Sequence, residues 1–381
     1  MITVDKAIEF IEQARLDFGS ETVPLHLAHR RICASDIFAK FTQPAFPMSL
    51  MDGYALRRRD ITHALAVIGE SRAGAPFDGV IGENEAVRIF TGAIVPEGAD
   101  YVEIQERAVL DVQTLTFSSI SKARNYIRPA GSDFKKNSQL FTHGTLITPA
   151  VLATLAMANY AHVTVQRPPS IELLRSGDEL RPVGSPLKKG QLIDSNGPGL
   201  MALIQSWGFP VIDLGIVPDD PTVIRDKISN CQADIIISVG GASVGDYDYM
   251  KAAFSDVGFE SVFQKVAVKP GKPVWLSRRK TQVAIGLPGK PNSAWVSAHL
   301  FLSPLLGRAA KWNRYNLTHE MDSNGARESY IRGKLNSSGQ VTPVPSQTDR
   351  GRSMAEADVL IRRPSLSDEL PVGHSVDCLH I

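Results

Sequence analysis

Cysteine is scarce in this sequence: Cys33, Cys231 and Cys378 are the only three in 381 residues. They lie far apart, and no CxxC pair or Cys/His metal spacing accompanies them, which argues for a reducing compartment and against structural zinc. An excess of charge of one sign is also missing, since 41 basic residues meet 40 acidic ones. Without a global field neither nucleic acid nor an anionic membrane is an expected partner, and any anion site must be local. Long apolar runs are absent as well. Nowhere do about eighteen apolar residues follow one another, and the charged, amphipathic start MITVDKAIEFIEQARLDF is unlike a signal peptide. The sequence reads as a cytoplasmic protein with no membrane span.

What is present is ordinary globular composition, 43% hydrophobic and 21% charged, so disorder is not expected over the bulk of the chain. Its length exceeds what one hydrophobic core usually serves, and two or more domains are expected. Ala7, Ile8, Ile11 and Ala14 recur at helical spacing and predict a helix from Val4 to Leu16. ETVPLHLAHRRICASDIFA reads as a short strand followed by a helix carrying Ala28, Ile32 and Ala34. Short alternating runs such as AVRIFTG and DYVEIQERAVL, punctuated by Gly, Pro, Asn and Asp, make residues 44–131 a small inserted β domain. Ala- and Leu-rich PAVLATLAMANY returns to helix. Residues 1–43 and 132–168 are therefore grouped as an N-terminal helical and linker domain.

From residue 169 to 312, strand-like runs alternate with helical ones: SIELLRSG, GPGLMALIQSWG, PVIDLGIVPDD, PTVIRDKISN, ADIIISVGG, YDYMKAAFSDVG and TQVAIGLPG, closed by the helix SAWVSAHLFLSPLLGRAAKW. This alternation predicts parallel strands joined by crossover helices, an α/β layered domain. Residues 313–381, with runs such as YIRGKL and ADVLIRR, suggest a small C-terminal β domain.

The strongest local signal is ADIIISVGGASVGDYDYM, where a strand ends in a Gly-rich loop and a helix follows. Gly240, Gly241 and Gly245 let a backbone approach a ligand closely, and N–H groups at a helix start favour an anion, so a phosphate fits; a turn needed only for strand-to-helix packing is the alternative. RSGDEL and GLPGKPNSA lie where strands of the same sheet should end, and ligands of open α/β sheets bind beyond such ends. Asp178, Glu179, Asp219, Asp220, Asp246 and Asp248 offer oxygen ligands of the kind Mg²⁺ prefers when it bridges phosphates, or serve as loop charges and helix caps. In QKVAVKPGKPVW, alternation places Lys265 and Lys269 on one side of a strand if no bulge intervenes, with Lys272 nearby. The segments SLMDGYALR and TGAIVPEGAD read, on their own, as plain turns.

Together the segments PAFPMSLMDGYA, RIFTGAIVPEGADYVEIQE, RPAGSDFKK, LLRSGDEL, LIDSN, GIVPDDP, SVGGASVGDYD, KVAVKPGKP and GLPGKPNSA resemble, in order, the molybdopterin molybdenumtransferase (MoeA) family, which includes the gephyrin E domain. The α/β part by itself is also similar to MogA-type pterin-binding proteins and the CinA-type domain. The resemblance implies a multidomain α/β-plus-β fold with a MogA-like layer. It implies a homodimer whose cleft lies between the α/β domain of one subunit and the inserted β domain of the other. The implied reaction takes adenylylated molybdopterin, Mg²⁺ and molybdate, releases AMP and yields molybdenum cofactor. A MogA-type adenylyltransferase and apo-molybdoenzymes are the implied partners.

Position by position, the resemblance assigns Asp52, Thr91, Glu179, Asp219, Asp248, Lys265 and Lys269 to catalysis, with Glu179, Asp219 and Asp248 toward the metal. It assigns Gly240, Gly241, Ser243, Gly245, Asp246, Pro288, Gly289, Ser293, Asp133, Arg332 and Ser353 to binding the cofactor and the oxyanion. The chain departs from the family pattern at Pro47 and Met48, where an Asp/Asn pair is usual, at Val239 in place of Ser, and at Lys290 in place of Asn. The segment QTDRGRSMAEADVLI, which holds Ser353, is also shorter than its counterpart. Two other functions compete: a noncatalytic pterin-binding or scaffold protein of the same fold, and an unrelated phosphate-ester enzyme built on the α/β domain.

Overall fold

The Thr3 hydroxyl accepts the Lys6 N–H and starts a helix, Val4–Ala14, that buries Val4, Ala7, Ile11 and Ala14 along one stripe. The computed structural model that contains it describes residues 1–112, 114–120, 125–240, 249–308, 310–344 and 352–381. The chain divides into two units, residues 20–166 and residues 1–19 with 167–381. The first helix thus belongs with the α/β part and not with residues 20–43 as the sequence suggested. Its apolar stripe is the reason, for it shares one core with Ile171, Leu173, Phe301 and Leu305.

In the unit of residues 20–166, six strands form a sheet in the order Tyr101–Ile104, Gly53–Leu56, Glu85–Ile89, Leu65–Ser71, Thr114–Phe117, Ala108–Asp111. Separate apolar clusters around Leu56 and Leu115, and around Val87 and Val102, serve it. Ser20–Pro24 pairs antiparallel with His162–Gln166, and Thr148 caps the helix Pro149–Met157. The helix expected over Ala28, Ile32 and Ala34 does not form; only a short 3₁₀ turn, Leu25–Leu27, follows the strand. The N–H groups of Arg30, Cys33 and Ala34 instead donate to the carbonyls of Ile147, Thr145 and Thr164, so pairing with distant segments takes the donors a helix would need.

The other unit is built on a six-stranded sheet in the order Ile212–Val217, Ile171–Ser176, Ile235–Val239, Gln282–Leu287, Trp275–Arg279, Glu260–Phe263. The first four are parallel and are the four strands the alternation predicted; Trp275–Arg279 runs antiparallel to both of its neighbours, Gln282–Leu287 and Glu260–Phe263. Asp220 accepts from the N–H groups of Thr222 and Val223 and caps the helix Pro221–Ser229, which makes it a cap and not a free ligand. Toward the C-terminus five strands close into a ring: Glu328–Leu335, Gln340–Pro343, Trp312–Leu317, Ser375–His380 and Val359–Arg363, the last pairing back to the first. Among the described residues no helix is long and apolar enough to cross a membrane.

The closing helix Pro291–Ser297 continues into a π-helical turn, Ala298–Leu302. There His299, 7% exposed, lies edge-on to Trp207 and Trp295. Burial, with the charge of Arg308, lowers its pKa to about 4, so the folded protein keeps it neutral. The unfolded chain binds a proton at this residue near pH 6.5 while the native state refuses it until about pH 4. Stability must therefore fall as pH drops through that window, by at most about 3 kcal/mol for this one group. Replacing His299 with Phe should flatten the urea-midpoint profile between pH 6.5 and 4, and an unchanged slope would show that other groups set it.

Candidate functional site

The spatial order of the parallel strands reverses direction between Ile171–Ser176 and Ile235–Val239, since the second strand in sequence lies outside the first and the third inside it. The two chains leave the sheet in divergent directions there and open a crevice at their carboxyl ends. Gly240, with φ of 91°, ends the second of these strands, and a Cβ on it would stand 2.3 Å from the Ser176 carbonyl oxygen. Only glycine fits so close an approach. Three further connections converge on it. Gly177 N–H donates to the Val217 carbonyl at 3.3 Å, and Asp219 N–H donates to the Asp178 carboxylate at 3.2 Å. Gly289 lies against Gly240, whose Cα is 3.5 Å from the place a Cβ on Gly289 would occupy, and its carbonyl accepts from Asn196 at 2.7 Å. RSGD, VPDD, Gly240 and LPGK thus form one rim, with Asp178 and Glu179 exposed on it and Pro288 buried beneath.

Gly241, Ser243, Gly245, Asp246 and Asp248 lie outside the described residues, as does the side chain of Ser353. Lys265 and Lys269 do not share a strand: only Val268–Lys269 is extended, and it joins the C-terminal ring by pairing with Glu328 and Ser329. Lys265 is half-buried and precedes it, its carbonyl accepting from Ile2, while Lys269 is exposed. The ring strand Glu328–Leu335 also carries Arg332, 7% exposed, whose Nη1 donates to Asn292 Oδ1 at 2.9 Å. That bond joins the ring to the start of the helix after LPGK, where half-buried Ser293 is the next residue and Lys290 stands exposed without a side-chain capping bond.

In the unit of residues 20–166, Asp52 and Thr91 are brought together by sheet register. Gly53 pairs with Ile89, so the residues just outside the two strands face each other. Asp52 accepts from the Thr91 N–H at 2.7 Å and from its hydroxyl at 2.9 Å. These two bonds, with a smaller contribution from the Arg88 charge, hold the Asp52 carboxyl below the usual carboxylate range. Asp52-Gly53 is no plain turn, because a Cβ on Gly53 would lie 1.9 Å from the Glu103 carbonyl oxygen of the adjoining strand. Asp133 instead pairs with Arg128, whose strand runs against Met48–Ser49. Pro47 and Met48 are absorbed by backbone pairing, Pro47 through its carbonyl to Val95.

Arg88 and Asn196 belong to the two rims but were not among the expected site residues. Arg88 donates to the Gly53 carbonyl at 3.1 Å and to Gln105, and its guanidinium lies over the rings of Tyr54 and Phe90. Its alternation with Val87 and Ile89 was legible, but the register that carries it to Asp52 was not. Replacing Thr91 with Val removes the hydroxyl bond and keeps the N–H bond. The Asp52 pKa, followed by carboxyl ¹³C titration, should rise part of the way to its ordinary value, with little change in melting temperature; an unmoved pKa would dismiss Thr91 as its support.

The comparisons with known proteins divide the chain at a similar place. Residues 2–159 match the model of the MoeA N-terminal region (domain I and II), and residues 172–308 match that of a probable molybdopterin binding domain. The chain is 38% identical over 314 residues to the molybdopterin molybdenumtransferase of Haemophilus influenzae, covering 81% of this chain and 78% of that one. It is 30% identical to that of Staphylococcus aureus (strain Mu50), covering 99% and 95%. Among solved structures, the molybdopterin biosynthesis MoeA protein of Pyrococcus horikoshii superposes with a TM-score of 0.87 at 27% identity, over 100% of this chain and 99% of that one.

Proposed function

The chain belongs to the molybdopterin molybdenumtransferase (MoeA) family, and on that premise we propose that it takes adenylylated molybdopterin, hydrolyses the bond to AMP and delivers molybdate to the dithiolene sulfurs. The observation that supports this most is the meeting of four strand-end loops at the switch point, with glycines where phosphate must approach and carboxylates beside them. Backbone N–H groups there bind phosphate without a side chain, and nothing in the arrangement requires a covalent nucleophile.

Magnesium fits the donors present. Asp178 and Asp219 are linked through a 3.2 Å bond, Glu179 is next in the same loop, and carboxylate oxygens are what this ion takes beside phosphates. Among the described residues no three His, Cys, Asp or Glu side chains converge to hold a metal, which suits an ion held by one or two carboxylates and completed by substrate. When bound, it supplies positive charge against the leaving phosphate. Asp178 and Glu179 orient that charge, and Lys269 lends its own from an exposed position beside the ring. Molybdate, a dianion, belongs at Arg332, whose fork is fixed by Asn292. The working unit is a cytoplasmic homodimer in which Asp52 and Thr91 of one copy complete the cleft of the other.

Replacing Asp219 or Glu179 with Ala should leave the melting temperature nearly unchanged and cut AMP release from adenylylated molybdopterin at least about tenfold, the scale of one lost charged interaction. Mixing the Asp219→Ala chain with an Asp52→Ala chain should restore part of the release. Wild-type protein that binds the pterin but releases no AMP would instead favour the noncatalytic reading. For the oxyanion, Arg332→Lys keeps the charge and loses the planar fork. Molybdate affinity by calorimetry should fall, and equal affinities would put the oxyanion elsewhere.

A further inference from the structure

At the end of the α/β sheet away from the strand-end rim lies a cavity of about 870 Å³, within the size range of small-molecule sites. It opens beside the hairpin that joins Trp275–Arg279 to Gln282–Leu287, and its walls include Val257, Glu260, Arg278, Arg279, Lys280 and Gln282. Gln282 begins the strand whose last residue, Leu287, leads into LPGK, so the length of that strand, roughly 17 Å at 3.3 Å per residue, separates this cavity from the rim. Three cations meet one carboxylate in it. Glu260 stands opposite Arg278 in the strand register, yet among the described residues the two form no ion pair.

Arg279 is the fixed member of the three. Its Nη1 donates to the Val257 carbonyl at 2.9 Å, its Nε to Gln282 Oε1 at 3.1 Å and its Nη2 to the same oxygen, while the guanidinium lies 4.6 Å from the centre of the Phe259 ring. Gln282 is held in turn by donating to the Cys231 and Ala233 carbonyls. All of these partners are neutral. Three other braced guanidiniums of this unit meet carboxylates instead: Arg167 meets Asp234, Arg362 meets Glu328, and Arg175, in the cavity beside the strand-end rim, meets Asp194 and Asp213. Arg279 is thus oriented without being neutralised, and one N–H on each of its terminal nitrogens has no bond among those of the described residues. Arg278 and Lys280, both exposed, bring two more charges to the same cavity. Such a cluster repels itself until an anion enters, and a guanidinium fork matches a phosphoryl oxygen pair. Val257 is the one apolar side chain among the described walls, so little of the ligand is hydrocarbon. We propose that this cavity is a second anion site that takes a diphosphate group, held by the Arg279 fork with Arg278 and Lys280 closing on it. The inference does not depend on the pterin reading, which concerns the other end of the strands.

Acetylation by N-hydroxysuccinimidyl acetate, followed lysine by lysine in mass spectra of the full chain, reads this site locally, because a bound anion shields an ammonium and keeps it protonated. The probes are pyrophosphate and ADP, each set against sodium chloride at equal ionic strength. In wild type about 1 mM pyrophosphate should slow Lys280 at least about fivefold and leave Lys136, an exposed lysine of the other unit, unchanged. Lys290 reports the strand-end rim separately. Arg278→Ser should raise the pyrophosphate concentration for half protection of Lys280 about threefold, the scale of one exposed charge pair, and Arg278→Lys should restore most of it. Equal protection by pyrophosphate and ADP would support the diphosphate alone as the ligand, and stronger protection by ADP would support a nucleotide in the same site. Protection of Lys290 without Lys280, equal slowing at all three lysines, or no slowing of Lys280 would overturn the inference, and none of these wild-type readings needs a variant to fold.

Discussion

At Gly240 two neighbouring parallel strands leave the sheet so close together that a Cβ would stand 2.3 Å from the Ser176 carbonyl oxygen. The rest of the site follows from that approach. It brings the RSGD loop against Gly240, the VPDD loop joins through the Gly177 N–H to Val217 carbonyl bond and the Asp219 N–H to Asp178 carboxylate bond, and Gly289 of LPGK closes against Gly240. Polar loops at a switch point are held by the sheet behind them and need no core of their own. The sheet is rigid because Ile235, Ile236, Ile237 and Val239 are all nearly fully buried, from both faces.

Charge is kept local throughout. The rim has carboxylates and backbone donors; the adjoining cavity has a buried guanidinium shared by two carboxylates, which raise its pKa against the opposing effect of burial. Breaking such a group by removing one partner is costly, so Arg175 serves as a rigid prop and not as a mobile binding arm. Arg332 is another buried guanidinium, bonded to Asn292. Each of these two cations is held in place by its own neighbours and not by a general field.

Much of this was readable along the chain. Apolar runs of strand length, three of them ending in a glycine-bearing loop, separated by helical stretches, pointed to the four parallel strands and to the loops at their carboxyl ends. The family resemblance pointed to Asp52 and Thr91, which the sheet register does bring together. The lysines misled because alternation in KVAVK looks like one strand, whereas the backbone of Lys265 is bonded to Ile2 and only Val268–Lys269 is extended. A helix was expected at Ala28 because three small or apolar residues have its spacing, yet its donors are taken by residues more than a hundred positions away.

By itself the sequence determined the alternation of parallel strands and helices in the α/β part and the family to which the chain belongs. These are local properties: periodicity, propensity and the fit of a residue to its own φ angle. Tertiary structure alone decided which distant charges meet. Arg175 finds Asp194 and Asp213 through sheet register, Arg332 finds Asn292 across two substructures, and the first helix joins the sheet beyond residue 167. Such pairings depend on strand order and register, which composition does not encode, because a charged side chain has no preferred partner until packing removes the water around it.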